Sequence, residues 1–310
     1  MTWNLDDILW ARRMKLRHLE VFLTLVESGG ITAAAEAMHM TQPAVSHWLK
    51  DLEDVVGTAL FIRGRQLQLT PAGEVLRRHA LRMLGDVRRV NDELGTIRTG
   101  LVGRLHVGSI LSAAPVILPK GIARLQRQMP GIFIHVVEAT LETLLERLGR
   151  RELDLILGPL DIRAHKSGFA SELLMEDTVK VVASPGHAMA RKRKPTWAQA
   201  AAYDWIMPPA GTLMRTRLED AFMHAATPVP MPRIETASII TIQMLLRESP
   251  YLTVLSGSVA DHYAAMGLLE CVRMAPEVAF SALGMLWNRN AESPGLSQLV
   301  QSFKEVAQSL

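Results

Sequence analysis

A single cysteine, Cys271, stands in the 310 residues, so neither an internal disulfide nor a cysteine-based zinc cluster can form. It lies in Leu268-Leu269-Glu270-Cys271-Val272, which reads as a strand, where a buried inert thiol is expected rather than a redox sensor. No uncharged apolar run approaches the ~18 residues that span a bilayer, so no membrane partner is expected. The first residues carry Asp6 and Asp7, and no basic stretch precedes an apolar one, which argues against a secretory leader. A cytoplasmic location is the expectation. The ten histidines show no His-Glu-x-x-His or similar ligand spacing. There is no Gly-x-Ser-x-Gly elbow, no Walker loop and no Gly-x-Gly-x-x-Gly. No catalytic residue, metal site or cofactor is therefore assigned, and an enzyme is not expected. Charge is also nearly balanced, at a formal +3, and residues 11–100 are only slightly more basic than the rest. Any nucleic-acid binding must come from where individual cations sit.

What the chain does have is concentrated between Gly29 and Lys50. The Ala-rich run from about Thr32 to Met38 reads as a short helix with Thr32 as its N-cap, and His39-Met40 ends it. Thr41 is a good N-cap for a second helix, and Pro43 fits a first turn where a missing N–H costs nothing. Val45, Leu49, Leu52 and Val56 recur every three to four residues and give that helix one apolar stripe. Gln42, Ser46, His47 and Lys50 lie off the stripe, as polar residues do on the helix that a helix-turn-helix offers to the DNA major groove. An ordinary antiparallel helix pair would show much of the same pattern.

The surroundings favour the first alternative. A helix from Leu16 to about Ser28 places Leu16, Leu19, Phe22, Leu23 and Val26 on one side, and Ser28-Gly29-Gly30 stops it. Gly57 marks the exit from the second helix of the pair. Ala59-Leu60-Phe61-Ile62-Arg63 and Leu67-Gln68-Leu69-Thr70 then flank Gly64-Arg65-Gln66 as a β-hairpin, the wing of a winged helix-turn-helix. Arg63 and Arg65 would lie beside phosphates, or else form a solvated hairpin tip. Taken together, Leu19–Phe22, the Ala-Ala-Ala run, Thr41-Gln42-Pro43-Ala44-Val45-Ser46, Leu52-Glu53, Gly57, Leu60-Phe61-Ile62-Arg63 and Leu69-Thr70-Pro71-Ala72-Gly73 resemble the DNA-binding domain of LysR-type transcriptional regulators. That resemblance implies double-stranded promoter or operator DNA as partner. It places Thr32, Thr41, Gln42, Pro43, Ala44, Ser46, His47, Lys50, Arg63 and Arg65 in the interface. His47 stands where many members carry Arg, which puts base preference at that contact in question.

Thr70-Pro71 opens a long helix. Leu76, Ala80, Met83, Val87, Val90, Leu94 and Ile97 are spaced 4-3-4-3-4-3, an a/d seam over about three heptads. Nothing nearby in the chain is an obvious cover for this seam, so pairing with a second copy is expected, as a homodimer or homotetramer. Packing on the chain's own C-terminal part is the alternative. Thr99-Gly100 and Gly103 make a hinge.

From Arg104 short strands alternate with helices. Arg104–Gly108, Ile132–Val137 and Leu153–Leu157 read as strands around helices at Pro115 to Met129 and Leu141–Gly149, a βαβαβ order that implies a parallel sheet. Val179–Ala183, Asp204–Met207, Leu252–Leu255 and Leu268–Met274 read as a second such unit. Glu277–Trp287 looks like a return strand, and a last helix carries Leu296, Leu299, Val300, Phe303 and Val306. The fold class is α/β. The resemblance extends to the two-lobed, periplasmic-binding-protein-like effector domain of the family. Domains are expected at 15–73 (winged helix-turn-helix), 74–99 (linker helix) and 104–306, with lobe one at about 104–160 and 276–306 and lobe two at about 161–275. Pro115–Pro119, Leu153–Gly158, Ser184-Pro185-Gly186-His187 and Pro208-Pro209-Ala210-Gly211-Thr212 look most like the branch that includes the galactose-binding-protein regulator.

The family resemblance implies a small-molecule effector between the lobes and RNA polymerase as a further partner. Ser109, Ser112 and Thr140 follow strands of one lobe, and Gly211, Thr212, Thr236 and Ser238 come from the other. Each hydroxyl reads equally as a helix cap, but together, at strand-to-helix ends facing one crevice, they favour a ligand. Pro159-Leu160-Asp161 replaces the more usual Arg at the lobe connection, which weakens the case for an anionic effector. Arg191-Lys192-Arg193-Lys194 reads as a solvated loop. His106 and His135 read as core or edge residues of strands. Two rivals remain open: a DNA-binding protein whose effector domain is vestigial and ligand-free, and a solute-binding protein or enzyme with an accessory winged helix.

Overall fold

The computed structural model describes residues 10, 12–62, 64, 67–110, 115–160, 168–275, 278–280, 282–291 and 293–309. They cluster into two units, 1–95 with 149–152, and 96–148 with 153–310. Among the described residues no helix is long and apolar enough to cross a membrane.

The first unit is built from local signals. Helix α1 (Leu16–Ser28) ends where Gly29 turns left-handed at φ 68° and donates its N–H to Leu25. Leu19, Phe22, Leu23 and Leu25 are buried, whereas Leu16 is exposed. α1 is touched by both following helices, so the side it buries is wider than one stripe. Helix α2 (Ile31–Ala37) has its N-cap two residues earlier than the sequence suggests. Gly30 is its N-cap and Thr32 is its second helical residue, so Thr32 is not a cap. Extended Gly30 can begin the helix without a side-chain bond, which removes the need for the hydroxyl. The helix ends in a Schellman motif: His39 takes φ 52°, Met40 N–H bonds to Ala35 O at 2.9 Å and His39 N–H to Glu36 O at 3.1 Å.

Helix α3 (Gln42–Val56) is capped by Thr41, whose Oγ1 accepts from Ala44 N–H at 3.4 Å, and it closes on left-handed Gly57. Val45, Leu49, Leu52 and Val55 are its buried residues, so Val55 takes the place expected of Val56, which is half-buried. Glu53 Oε1 accepts from Leu60 N–H at 2.7 Å and ties α3 to the hairpin. In that hairpin β1 (Phe61–Ile62) pairs antiparallel with β2 (Gln68–Leu69), Phe61 opposite Leu69. Helix α4 (Pro71–Thr99) follows, its first turn bonded by Thr70 Oγ1, which accepts from Gly73 N–H at 3.0 Å.

The α4 seam divides. Leu76 and Ala80 are buried in the first unit's own core and Met83 packs against it. Val87, Val90, Leu94 and Ile97 stay exposed. The expectation that nothing in the chain covers the seam therefore fails for its first half, because the winged-helix core itself supplies the cover.

In the second unit, β3 (Gly103–Ser109) pairs parallel with β4 (Ile132–Glu138) and β5 (Leu155–Pro159), and with β6 (Ala170–Met175) and β13 (Leu283–Trp287) the five-stranded order is β4-β3-β5-β13-β6. The return strand β13 runs antiparallel to β5 and to β6. Successive strand residues face opposite sides. Leu155, Leu157 and Met285 meet Leu125 of α5 (Ile117–Gln128) and Leu299 and Phe303 of the C-terminal helix (Pro294–Ala307). Ile156 and Leu286 meet Leu144 and Leu148 of α6 (Leu141–Gly149) on the other side.

The second lobe departs from the expected repeat. Its strand β7 (Thr178–Ala183) is antiparallel to β10 (Leu252–Ser256), β11 (Glu270–Val272) and β12 (Val278–Ala279), so it is not a second all-parallel unit. The chain passes from β6 to β7 with only Glu176 and Asp177 between them, and the two strands belong to different sheets. The short pair β8 (Ile206–Met207) and β9 (Ile234–Glu235) is parallel, and Trp205 bridges to Leu252. Because β6 belongs to the first sheet and β12 to the second, the lobe boundaries expected at 161 and 275 shift to the crossings at Glu176-Asp177 and near Phe280. Phe280 N–H donates to Asp177 O at 3.0 Å, so the two crossings touch.

Candidate nucleic-acid interface and ligand cleft

With the Val45, Leu49 and Leu52 stripe turned inward, α3 exposes Thr41, Gln42, Pro43, Ser46, His47 and Lys50, while Ala44 is half-buried. These are the expected residues, brought onto one polar surface at the N-terminal half of a capped helix. Thr32 lies exposed on α2. Arg63 and Arg65 lie outside the described residues. The helix offers amide, hydroxyl and imidazole groups that can meet base edges, with an ammonium two turns from its start for a phosphate.

Beneath that surface is a group the sequence reading missed. His18, on α1, is fully buried; its Nδ1 accepts Lys15 N–H at 3.0 Å and its Nε2 lies 2.9 Å from Asp51 Oδ2 on α3. The ring also meets Trp48 edge-on, with centroids 4.9 Å apart, and Lys15 Nζ lies 5.5 Å from the Trp48 ring. The hydrogen bond from His18 holds the Asp51 carboxyl below the usual carboxylate range against desolvation, and the charges of Lys15 and His47 add to it. An imidazole three residues into an apolar helix gave no signal of a partner 33 residues away.

The expected ligand-facing groups fall into two sets, one per lobe. Ser109 ends β3 and is fully buried, its Oγ donating to Ile110 O at 3.1 Å. Ala139 N–H bonds to Ser109 O at 3.3 Å, which brings Thr140 alongside. Thr140 Oγ1 accepts Thr143 N–H at 3.4 Å, at the start of α6. Ser112 lies outside the described residues. In the second lobe Gly211 is left-handed at φ 77° and Thr212 caps the helix α7 (Leu213–His224). Thr236 N–H bonds to Met207 O at 3.1 Å, which gathers the segments after β8 and β9, and Ser238 caps α8 (Ile239–Glu248).

Capping and ligand contact are not exclusive, because a hydroxyl has one proton and two lone pairs. Thr212 accepts from Arg215 N–H and donates to Pro209 O at 2.7 Å, which leaves one lone pair. Ser238 Oγ accepts from Thr241 N–H and from Thr241 Oγ1, which leaves its proton to donate. Val116, just before α5, is buried in the second lobe's core with Val182, Ile206 and Ile242, so the segment ahead of α5 is anchored in that lobe. The Arg191–Lys194 run is exposed. His106 and His135 sit side by side on β3 and β4 with rings 5.6 Å apart; His106 is half-buried and His135 exposed.

A winged helix-turn-helix unit joined to a two-lobed α/β unit defines a DNA-binding transcription regulator with a ligand-sensing domain. Residues 16–74 match the family described as bacterial regulatory helix-turn-helix protein, lysR family, and residues 98–308 match the LysR substrate binding domain. The chain belongs to the LysR family of transcriptional regulators. It is 30% identical to the HTH-type transcriptional regulator GbpR of Azospirillum brasilense over 91% of this chain and 84% of that one. To the regulator GalR of Pseudomonas putida it is 29% identical over 94% and 73%. The full-length structure of CbnR, a LysR family regulator, complexed with its target DNA has the same fold, with a TM-score of 0.62 at 19% identity over 94% and 100% of the two chains.

Proposed function

We propose that Gln42, Ser46 and His47 face base edges of an operator, with Thr32, Thr41, Pro43, Ala44, Lys50, Arg63 and Arg65 against the backbone and groove walls. A small polar molecule held by Ser109, Ser112 and Thr140 from one lobe and Gly211, Thr212, Thr236 and Ser238 from the other changes that binding. The reading unit spans 15–73, a pairing helix 74–99 and the sensing unit 104–306. The protein acts in the cytoplasm as a homodimer or homotetramer, without enzymatic activity, and answers to RNA polymerase at the promoter. The observation that carries this is the capped α3, whose apolar stripe is buried and whose polar face is free.

The test is a footprint on the DNA upstream of its own gene, with and without candidate sugars and small carboxylates. Protection whose extent or half-saturation changes with one of them is the expected result. Protection that none of them alters favours a ligand-free effector domain, and absence of any protected site argues against α3 as the reading element.

A further inference from the structure

We propose that His18 is a positioning residue for the reading helix: through Asp51 and Trp48 it fixes the rotation of α3, and with it the discrimination between operator and other DNA. The inference rests on α3 being the element that faces the bases.

An apolar stripe alone orients a helix poorly. Val45, Leu49 and Leu52 bury almost equally well if α3 turns by a few degrees, because hydrophobic burial is non-directional. Hydrogen bonds do not share that tolerance. His18 is gripped on both sides. The Lys15 N–H occupies Nδ1, so the ring proton sits on Nε2 and points at Asp51. One end of the ring is therefore fixed to the start of α1 and the other to the middle of α3. Trp48 closes the third side with its edge-on contact. Asp51 is one turn beyond His47 and adjacent to Lys50 along the helix, so it lies on the flank between the buried stripe and the exposed face. A shift of the Asp51 carboxylate rotates Gln42, Ser46 and His47 with it. Bidentate base contacts depend on such placement, whereas attraction to phosphates hardly does.

The Asp51 side chain is 38% exposed, so it can be changed without opening the core. Asp51→Ala and Asp51→Asn carry the same charge and differ in whether an oxygen remains to accept from His18. The full-length protein is titrated with a duplex carrying its footprinted site and with a scrambled duplex of equal length, at two salt concentrations, next to a thermal melt. For Asp51→Ala the ratio of scrambled to operator Kd is expected to fall about tenfold below that of Asp51→Asn, the equivalent of losing about one base contact. Scrambled-duplex affinity and the salt slope should be the same in both. A structural role alone would lower the melting temperature without changing that ratio. Equal ratios in the two variants overturn the proposal, as does a parallel fall in both affinities. Should Asp51→Ala not fold, Asp51→Glu keeps the charge and moves the oxygen by one methylene; an unchanged ratio there also overturns it. Failure of α3 as the reading element shows separately, as unchanged base preference in Gln42→Ala.

Discussion

Replacing Val90 and Leu94 by Asp together is the sharpest test of how the chain assembles. In the single chain Val87, Val90, Leu94 and Ile97 are 42%, 55%, 54% and 75% exposed on one side of α4. Full burial of such a side chain contributes ~1.5–3 kcal/mol, so the half still exposed is worth roughly 1 kcal/mol per residue. Over four residues of each of two chains the gross gain is on the order of 8 kcal/mol, part of it offset by the cost of association. Two aspartates per chain remove about 4 kcal/mol of this, or roughly a thousandfold in Kd, before counting the unpaired charges they would bury. Because both positions are exposed, the single chain should still fold, with a thermal transition within a few degrees of the parent. Sedimentation velocity should then show monomer, and operator binding should fall steeply, since a palindromic site needs two reading heads. Leu76→Asp is the contrasting variant. Leu76 is buried in the first unit's own core, so that change should abolish folding rather than pairing. A folded Val90→Asp/Leu94→Asp protein with an unchanged sedimentation coefficient would remove this half of α4 from the interface.

Three further outcomes are expected. Gln42→Ala should lose discrimination at one base pair by about 1–3 kcal/mol, and Lys50→Ala should weaken all sequences alike and flatten the salt dependence, both read by titrating operator variants. Ser109→Ala removes one hydroxyl from a fully buried position; operator affinity should be normal while the half-saturating effector concentration in a reporter titration rises several-fold to about a hundredfold, the range of one hydrogen bond. A normal effector response with lost operator affinity would make Ser109 a structural group only. Gly73→Ala would drive a methyl into Leu60 O and the Leu69 side chain where α4 starts against the hairpin, and a thermal melt should show a loss of about 1–3 kcal/mol from overpacking.

Ser238 and Thr212 show how sequence and structure divide the information about the cleft. That each starts a helix was legible, because a hydroxyl followed by an apolar-periodic run is a local cap signal. How much bonding capacity each retains was not. It depends on Pro209 O and Thr241 Oγ1, which only the folded turn brings within reach.

The sequence by itself determined the elements whose causes lie within a few residues. Among these are the stop of α1 at Gly29, the Thr41 cap and inward stripe of α3, the hairpin between Phe61 and Leu69, and the start of α4 at Thr70-Pro71. Tertiary structure alone decided what covers what. The first half of the α4 seam is used up by the winged-helix core, β6 joins the first sheet through β13 more than a hundred residues on, and β7 runs against its neighbours. A two- to six-residue strand carries its hydrophobic alternation but nothing that names its partner or direction. Likewise a buried imidazole such as His18 shows its role only when the carboxylate it bonds arrives from another helix. Caps and turns are settled by neighbours along the chain; pairing and cover are settled by residues that become neighbours only on folding.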